Sequence, residues 1–148
     1  MAKTVTYSSS VLNLLLNGIG IAGVADNTAT GPLANTYVAL HTADPTATGN
    51  QSSNEIAYTG YTRVAVARST GTSTAWTVTS GTAKPTSTAG IQFPLGTGAT
   101  GGTATYWSVG STNTGTGTIY YSGAISPPII CGTGVTPILT SASNITES

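Results

Sequence analysis

The sequence predicts an all-β fold, a jelly-roll-like antiparallel β-sandwich with one short N-terminal helix. Three observations carry this expectation. Threonine makes up about a fifth of the chain and glycine 19 of its 148 residues, while the long helix-formers Glu and Lys are almost absent. Val, Ile, Leu, Tyr and Trp recur in short strand-length runs, roughly eight to ten of them. Clusters of Gly, Pro, Asn and Asp separate those runs, with no helical period between them, which points to a sandwich or barrel and away from a βαβ protein. The strand count and one long crossing loop favour the jelly roll. An immunoglobulin-type Greek key is the alternative, although its Cys, Trp, Cys core pattern is missing. The length suits one domain over 1–148, with a helix and an arm or loop over 1–35 and the sandwich over 36–148.

The helix is expected from about Ser10 to Asn17, because Ser8, Ser9 and Ser10 can cap it and Asn17-Gly18 supplies a stop. Its Leu12, Leu15 and Leu16 either pack over one end of the sheet or form an arm that docks on a neighbouring subunit. A secretory signal is imitated by Lys3, the leucines and the small residues Ala22, Val24 and Ala25, but Asn13 and Asn17 interrupt the apolar run. A membrane span fails for the same reason. Ala25 to Asn35 reads as a loop.

Tyr37–Thr42 and Tyr61–Arg68 are the two strongest early strands. In the second, Val64 and Val66 mark the core face, with Tyr61, Arg63, Ala65 and Ala67 on the other. Between them Asp44-Pro45 and Gly49-Asn50 favour turns, and Gln51 to Glu55 can satisfy its backbone with water as an exposed loop. Later strands are expected at Trp76–Thr79, Thr82–Lys84, Ile91–Phe93, Thr103–Val109 and Thr118–Ser122. Pairing must then break or move to an edge at Pro127-Pro128, before Ile129–Cys131, Val135–Leu139 and an edge strand at Asn144–Thr146.

The run LHTADPTATGNQSSNEIAYTGYTRVAVAR, Leu40 to Arg68, resembles a segment of small tailed-bacteriophage virion structural proteins, a family that includes capsid decoration (cement) and tail-fibre-like members. Its LHT-x-DP, GNQS-x-NE and Y-x-GY-x-RV elements carry the resemblance, which covers about a quarter of the chain. It implies a binding role in a virus particle assembled in the host bacterial cytoplasm, with the major capsid protein and further copies of this chain as partners.

Composition bears on partners. Four Lys and Arg balance four Asp and Glu, so no basic stripe exists to neutralise phosphates and nucleic acid is not an expected partner. A neutral surface also lacks the self-repulsion that keeps free proteins apart, which suits a docked subunit. The lone Cys131 cannot close an intrachain disulfide.

Chemistry is thin. His41, Asp44 and Glu55 are the one set of types suited to acid–base work or metal binding, but a single histidine and two loop carboxylates have no spacing that fixes them round an ion. No catalytic residue, metal site or cofactor is expected. Serines abound without a nucleophile elbow, and the Gly96-Thr97-Gly98 and Gly115-Thr116-Gly117 runs open no helix and cradle no phosphate. The partners open to Arg63 and Arg68 are Glu55 and Asp44. Trp76, Trp107, Tyr106, Tyr120 and Tyr121 form either core or a sugar-stacking platform, and alternation favours core. Tyr58, Gly60 and Tyr61 are interface candidates, since tyrosine is enriched at interfaces and glycine lets another backbone approach. The leading expectation is a capsid decoration protein bridging major-capsid subunits from outside the shell. The alternative is a tail-fibre or tail-tip component that recognises a host surface.

Overall fold

A computed structural model of the chain describes residues 4–21, 33–71 and 75–147. The chain is all-β, with antiparallel sheets and one short N-terminal helix, consistent with the sandwich class. Its residues gather into two compact units, each made from separate pieces of sequence. Most of the loop expected over Ala25–Asn35 lies outside the described residues.

The first unit takes Met1–Asn35, Val66–Gly90 and Thr140–Ser148. Helix α1 spans Val5–Leu12 and continues as a π-helical turn over Asn13–Asn17. It begins earlier than the serines suggest, because the Thr4 hydroxyl accepts the Tyr7 N–H at 3.3 Å and so caps the first turn. The expected stop holds: Gly18 adopts φ 68° and closes the turn. Ser8, Leu12 and Leu16 follow one another at four-residue spacing and are buried, on the side of the helical segment that meets β3 (Trp76–Thr79) and β4 (Thr82–Pro85). Burying a leucine in this way contributes about 1.5–3 kcal/mol.

Strand β4 is central in the sheet, flanked by β3 and β9 (Ile145–Thr146). Trp76, Ala83 and Ile145 add to the leucine core. Arg68 completes the unit. Rather than meeting a carboxylate, its guanidinium donates to the carbonyls of Leu14, Leu15 and Leu33 at 2.7–2.8 Å. The last carbonyls of a helical segment lack intrahelical donors and sit at the negative end of its dipole, so a cation is favoured there.

The second unit takes Thr36–Ala65 and Ile91–Leu139. Its main sheet has the order β2-β1-β6-β7, where β1 is Asn35–His41, β2 Val64–Ala67, β6 Gly102–Gly110 and β7 Ile119–Cys131. Strand β2 runs from this unit into the first. Strand β1 pairs antiparallel with β6, from Tyr37 opposite Gly110 to His41 opposite Tyr106. Val38, Ala39, Leu40 and His41 are all wholly buried, so both faces of β1 are covered. Strand β2 is shorter than the expected Tyr61–Arg68, and of its expected core residues Val66 is buried and Val64 half-buried.

Strand β7 answers the proline question. It is one strand, not two, and lies at the sheet edge as prolines require. Ala104 pairs with Ile129 and Tyr106 with Ala124, so residues 125–128 stand opposite Thr105 alone and the ladder skips both prolines. The Ser126–Pro127 bond is cis. A two-stranded sheet of β5 (Ile91–Gln92) and β8 (Ile138–Leu139) completes the unit.

Candidate functional site

The long loop after β1 is tied down at nearly every step. Asp44 accepts the Thr46 N–H at 2.8 Å, the Asx turn that Asp-Pro favours, and the Asn54 amide returns to the Asp44 carbonyl at 2.9 Å. Gln51, expected to be solvated, is wholly buried. Its backbone N–H donates to Gly117 O, its side-chain amide donates to Tyr37 O, and its Oε1 accepts from Thr112 N. One glutamine thereby joins the loop, β1 and the turn that precedes β7.

His41 stands beneath this loop, also wholly buried. Its Nδ1 lies 2.8 Å from Ser53 O and its Nε2 2.8 Å from Ser108 Oγ. A carbonyl only accepts, so Nδ1 carries the proton and Nε2 accepts from the serine hydroxyl. Burial holds the ring's pKa below its usual value, against the pull of the Ser53 carbonyl and the Glu55 charge. The serine–histidine contact has the distance of a nucleophile and its base, but Ser108 is as inaccessible as His41. The pair is a satisfied core hydrogen bond.

Next to it, Glu55 and Arg63 form a two-bond ion pair, and Arg63 also donates to the carbonyls of Thr112 and Gly115. Of the partners open to Arg63, the nearer carboxylate is the one used. The Tyr61 hydroxyl donates to Glu55 Oε1 at 2.9 Å and accepts from Leu40 N at 3.1 Å. Burial and the adjacent carboxylate raise its pKa far above the ordinary tyrosine value. Tyr58 donates to Pro94 O at 2.7 Å, and burial pushes its pKa up to about 12.

The interface candidates therefore divide. Leu12 and Leu16 are wholly buried by this chain's own packing, and Leu15 is half-buried. Tyr58 is 3% exposed and meets Tyr61 edge-on at 5.4 Å, while Tyr61 stacks on Phe93 at 6.2 Å. Gly60 does let a backbone approach, but one from the same chain: a Cβ there would lie 2.8 Å from Leu95 O. Of the five aromatics read as core, Trp76 and Trp107 are buried, while Tyr106, Tyr120 and Tyr121 are half-buried. Among the described residues no three His, Cys, Asp or Glu side chains converge as a metal site, and no helix is long and apolar enough to cross a membrane.

The same corner lines a cleft of about 570 Å³, together with Thr100 and the Asn113–Gly115 turn. In sequence this turn shows only polar and glycine residues, and the Arg63 side chain that holds it lies some fifty residues away. The resemblance noted at Leu40–Arg68 extends well beyond that segment, since residues 6–145 match the family described as podophage GP4 fiber I protein gp80. The chain belongs to this fiber I family. The second unit with its cleft, and all but the ends of the first, fall within the match. A member of the fiber I family is a fibre-type structural protein of the phage virion. No curated protein matches the chain.

Proposed function

We propose that this protein is a non-enzymatic component of the phage tail-fibre apparatus and takes part in recognising the host surface. The observation that carries the proposal is the fiber I match across residues 6–145. It favours the fibre over the shell decoration that was the leading expectation from sequence. The non-enzymatic reading is supported by the inaccessibility of the His41–Ser108 pair and by Glu55 being held in an ion pair. Self-association belongs to the same proposal. No Asp, Glu, Lys or Arg occurs between Lys84 and Glu147, so like surfaces can meet there without like-charge repulsion.

Copy number and position on the particle test this reading. Gold-labelled antibody should decorate the tail, at a few to a few dozen copies per virion. Particles lacking the protein should keep normal heat resistance and fail to adsorb. Hundreds of copies on the shell, with leakage of DNA at lower temperature when the protein is absent, would return the assignment to a cement protein that stabilises the shell by mass action.

A further inference from the structure

The cleft of the second unit has the volume of a small-molecule site, and counting its donors and acceptors limits what can occupy it. Arg63 has five N–H groups, and all are directed at this chain. Nε meets Glu55 Oε1, Nη1 meets the carbonyl and hydroxyl oxygens of Thr112, and Nη2 meets Glu55 Oε2 and Gly115 O. Arg63 therefore has no N–H left for an incoming carboxylate or phosphate, and the cleft offers no other cation among the described residues. The Glu55 charge is matched by Arg63 at 2.7 Å, so a cationic ligand has no unpaired charge to meet.

What remains available is neutral. Thr62, Asn113 and Thr114 are exposed, and their side chains make no hydrogen bond among the described residues. Glu55 Oε2 accepts a single bond, from Arg63, and the side chain is 18% exposed, which leaves an acceptor position at the cleft wall. Beside these groups lie the threonine methyls and Ala57. The lining is fixed beforehand: the bonds of Arg63 to Thr112 and Gly115 hold the turn, and Thr59 N donates to Thr100 Oγ1 at 2.7 Å. A fixed cleft loses little entropy when it is filled.

We propose that this cleft binds an uncharged saccharide unit. Sugar hydroxyls both donate and accept, as do the free amide and the two free hydroxyls, and the C–H faces of a pyranose match methyl groups set between polar ones. The proposal rests on the host-surface reading above, because it names the chemistry that such recognition would use.

The test is a titration of the full isotope-labelled chain, followed by amide chemical shifts, with the methyl glycosides of glucose, galactose, N-acetylglucosamine and rhamnose. At least one glycoside should shift the amides of Thr62, Asn113 and Thr114, and Asn113→Ala should weaken its binding about tenfold, the effect of losing one or two neutral hydrogen bonds. Asn113 is exposed and unbonded, so the variant keeps its fold. Inorganic phosphate should leave the same amides unmoved. No shift with any of the four glycosides, a phosphate shift at these amides, or unchanged affinity in Asn113→Ala would overturn the proposal. Labelling of virions reads the fibre assignment separately, so gold on the tail with no glycoside binding would remove the cleft's role alone.

Discussion

Arg63 grips Glu55 with two parallel bonds, Nε to Oε1 and Nη2 to Oε2, each 2.7 Å long. The arginine side chain is 2% exposed and the glutamate 18%, so the pair is largely out of water. Fork geometry matches guanidinium to carboxylate, and the remaining donors reach across to Thr112 and Gly115. The fork thus joins β2's approach to the turn before β7.

Removing one partner of such a pair leaves a buried charge without compensation. Arg63→Ala should therefore cost about 3–5 kcal/mol of stability, measured by urea unfolding. Arg63→Lys keeps the charge but not the fork, so its loss should be smaller while hydrogen exchange at residues 112–117 accelerates. A loss below about 1 kcal/mol in Arg63→Ala would mean that the pair behaves as a surface salt bridge.

The depressed pKa of His41 ties stability to pH. Burial lowers it, Arg63 adds to that, and Ser53 O, Glu55 and Asp44 oppose. In the unfolded chain the ring titrates near its ordinary 6.5. Just below that value the unfolded state binds more protons than the folded one, so stability rises with pH in this window. The contribution is complete above the unfolded pKa and is lost as pH falls towards the folded one. Melting temperature should drop between about pH 7 and about pH 5, and His41→Gln should flatten the slope there, whatever its own stability. Equal slopes for both proteins would refute the assignment of a neutral buried ring.

How much of this was legible varies by element. Strands β1, β3 and β6 stood out because β-branched and aromatic residues are concentrated there, and the turns beside them carry Gly or Pro. The helix start was misplaced because three serines outweighed one threonine, although only Thr4 had a free amide three residues on. The buried polar group of His41, Gln51 and Arg63 was not legible. Each residue looks solvated in its own segment, and the partners Ser108, Thr112 and Gly117 lie some fifty to seventy residues away, where only the β1–β6–β7 pairing brings them. Gly60 is approached by the backbone of this chain at Leu95, and sequence gives no means of telling a partner's backbone from the chain's own.

Gly60 makes that approach measurable. It holds φ +98°, and a Cβ would press on Leu95 O at 2.8 Å. Gly134 holds φ +75° with nothing within 4 Å of the same position. Gly134→Ala should cost about 1–2 kcal/mol, the strain of a left-handed alanine. Gly60→Ala should cost more, because backbone must also move. Equal melting shifts in the two variants would place Leu95 O farther away than the structure has it.

Attachment to the particle should resist salt. The chain has only eight charged side chains, four of each sign. Glu55 and Arg63 are spent on each other, and Arg68 on the carbonyls of Leu14, Leu15 and Leu33. Exposed apolar side chains are more plentiful: Val5, Tyr7, Ile19, Leu33, Leu95, Ile130 and Ile138 are each more than a third exposed. Ion pairs at a docking surface contribute about 1 kcal/mol or less apiece when exposed, whereas burial of one large apolar side chain contributes about 1.5–3 kcal/mol. Raising salt to about 1 M shortens the Debye length to about 3 Å and removes most of the first kind of contact. It leaves the second kind intact. Virions washed at that concentration should retain the protein in full, as read by its band relative to the capsid protein in the pelleted particles. Ile130, 74% exposed on the edge strand, supplies the complementary variant: Ile130→Lys should leave melting of the free protein within about 0.5 kcal/mol of wild type, as surface substitutions do. Release of the wild-type protein by salt alone would show that ion pairs hold it, and the apolar account would fall.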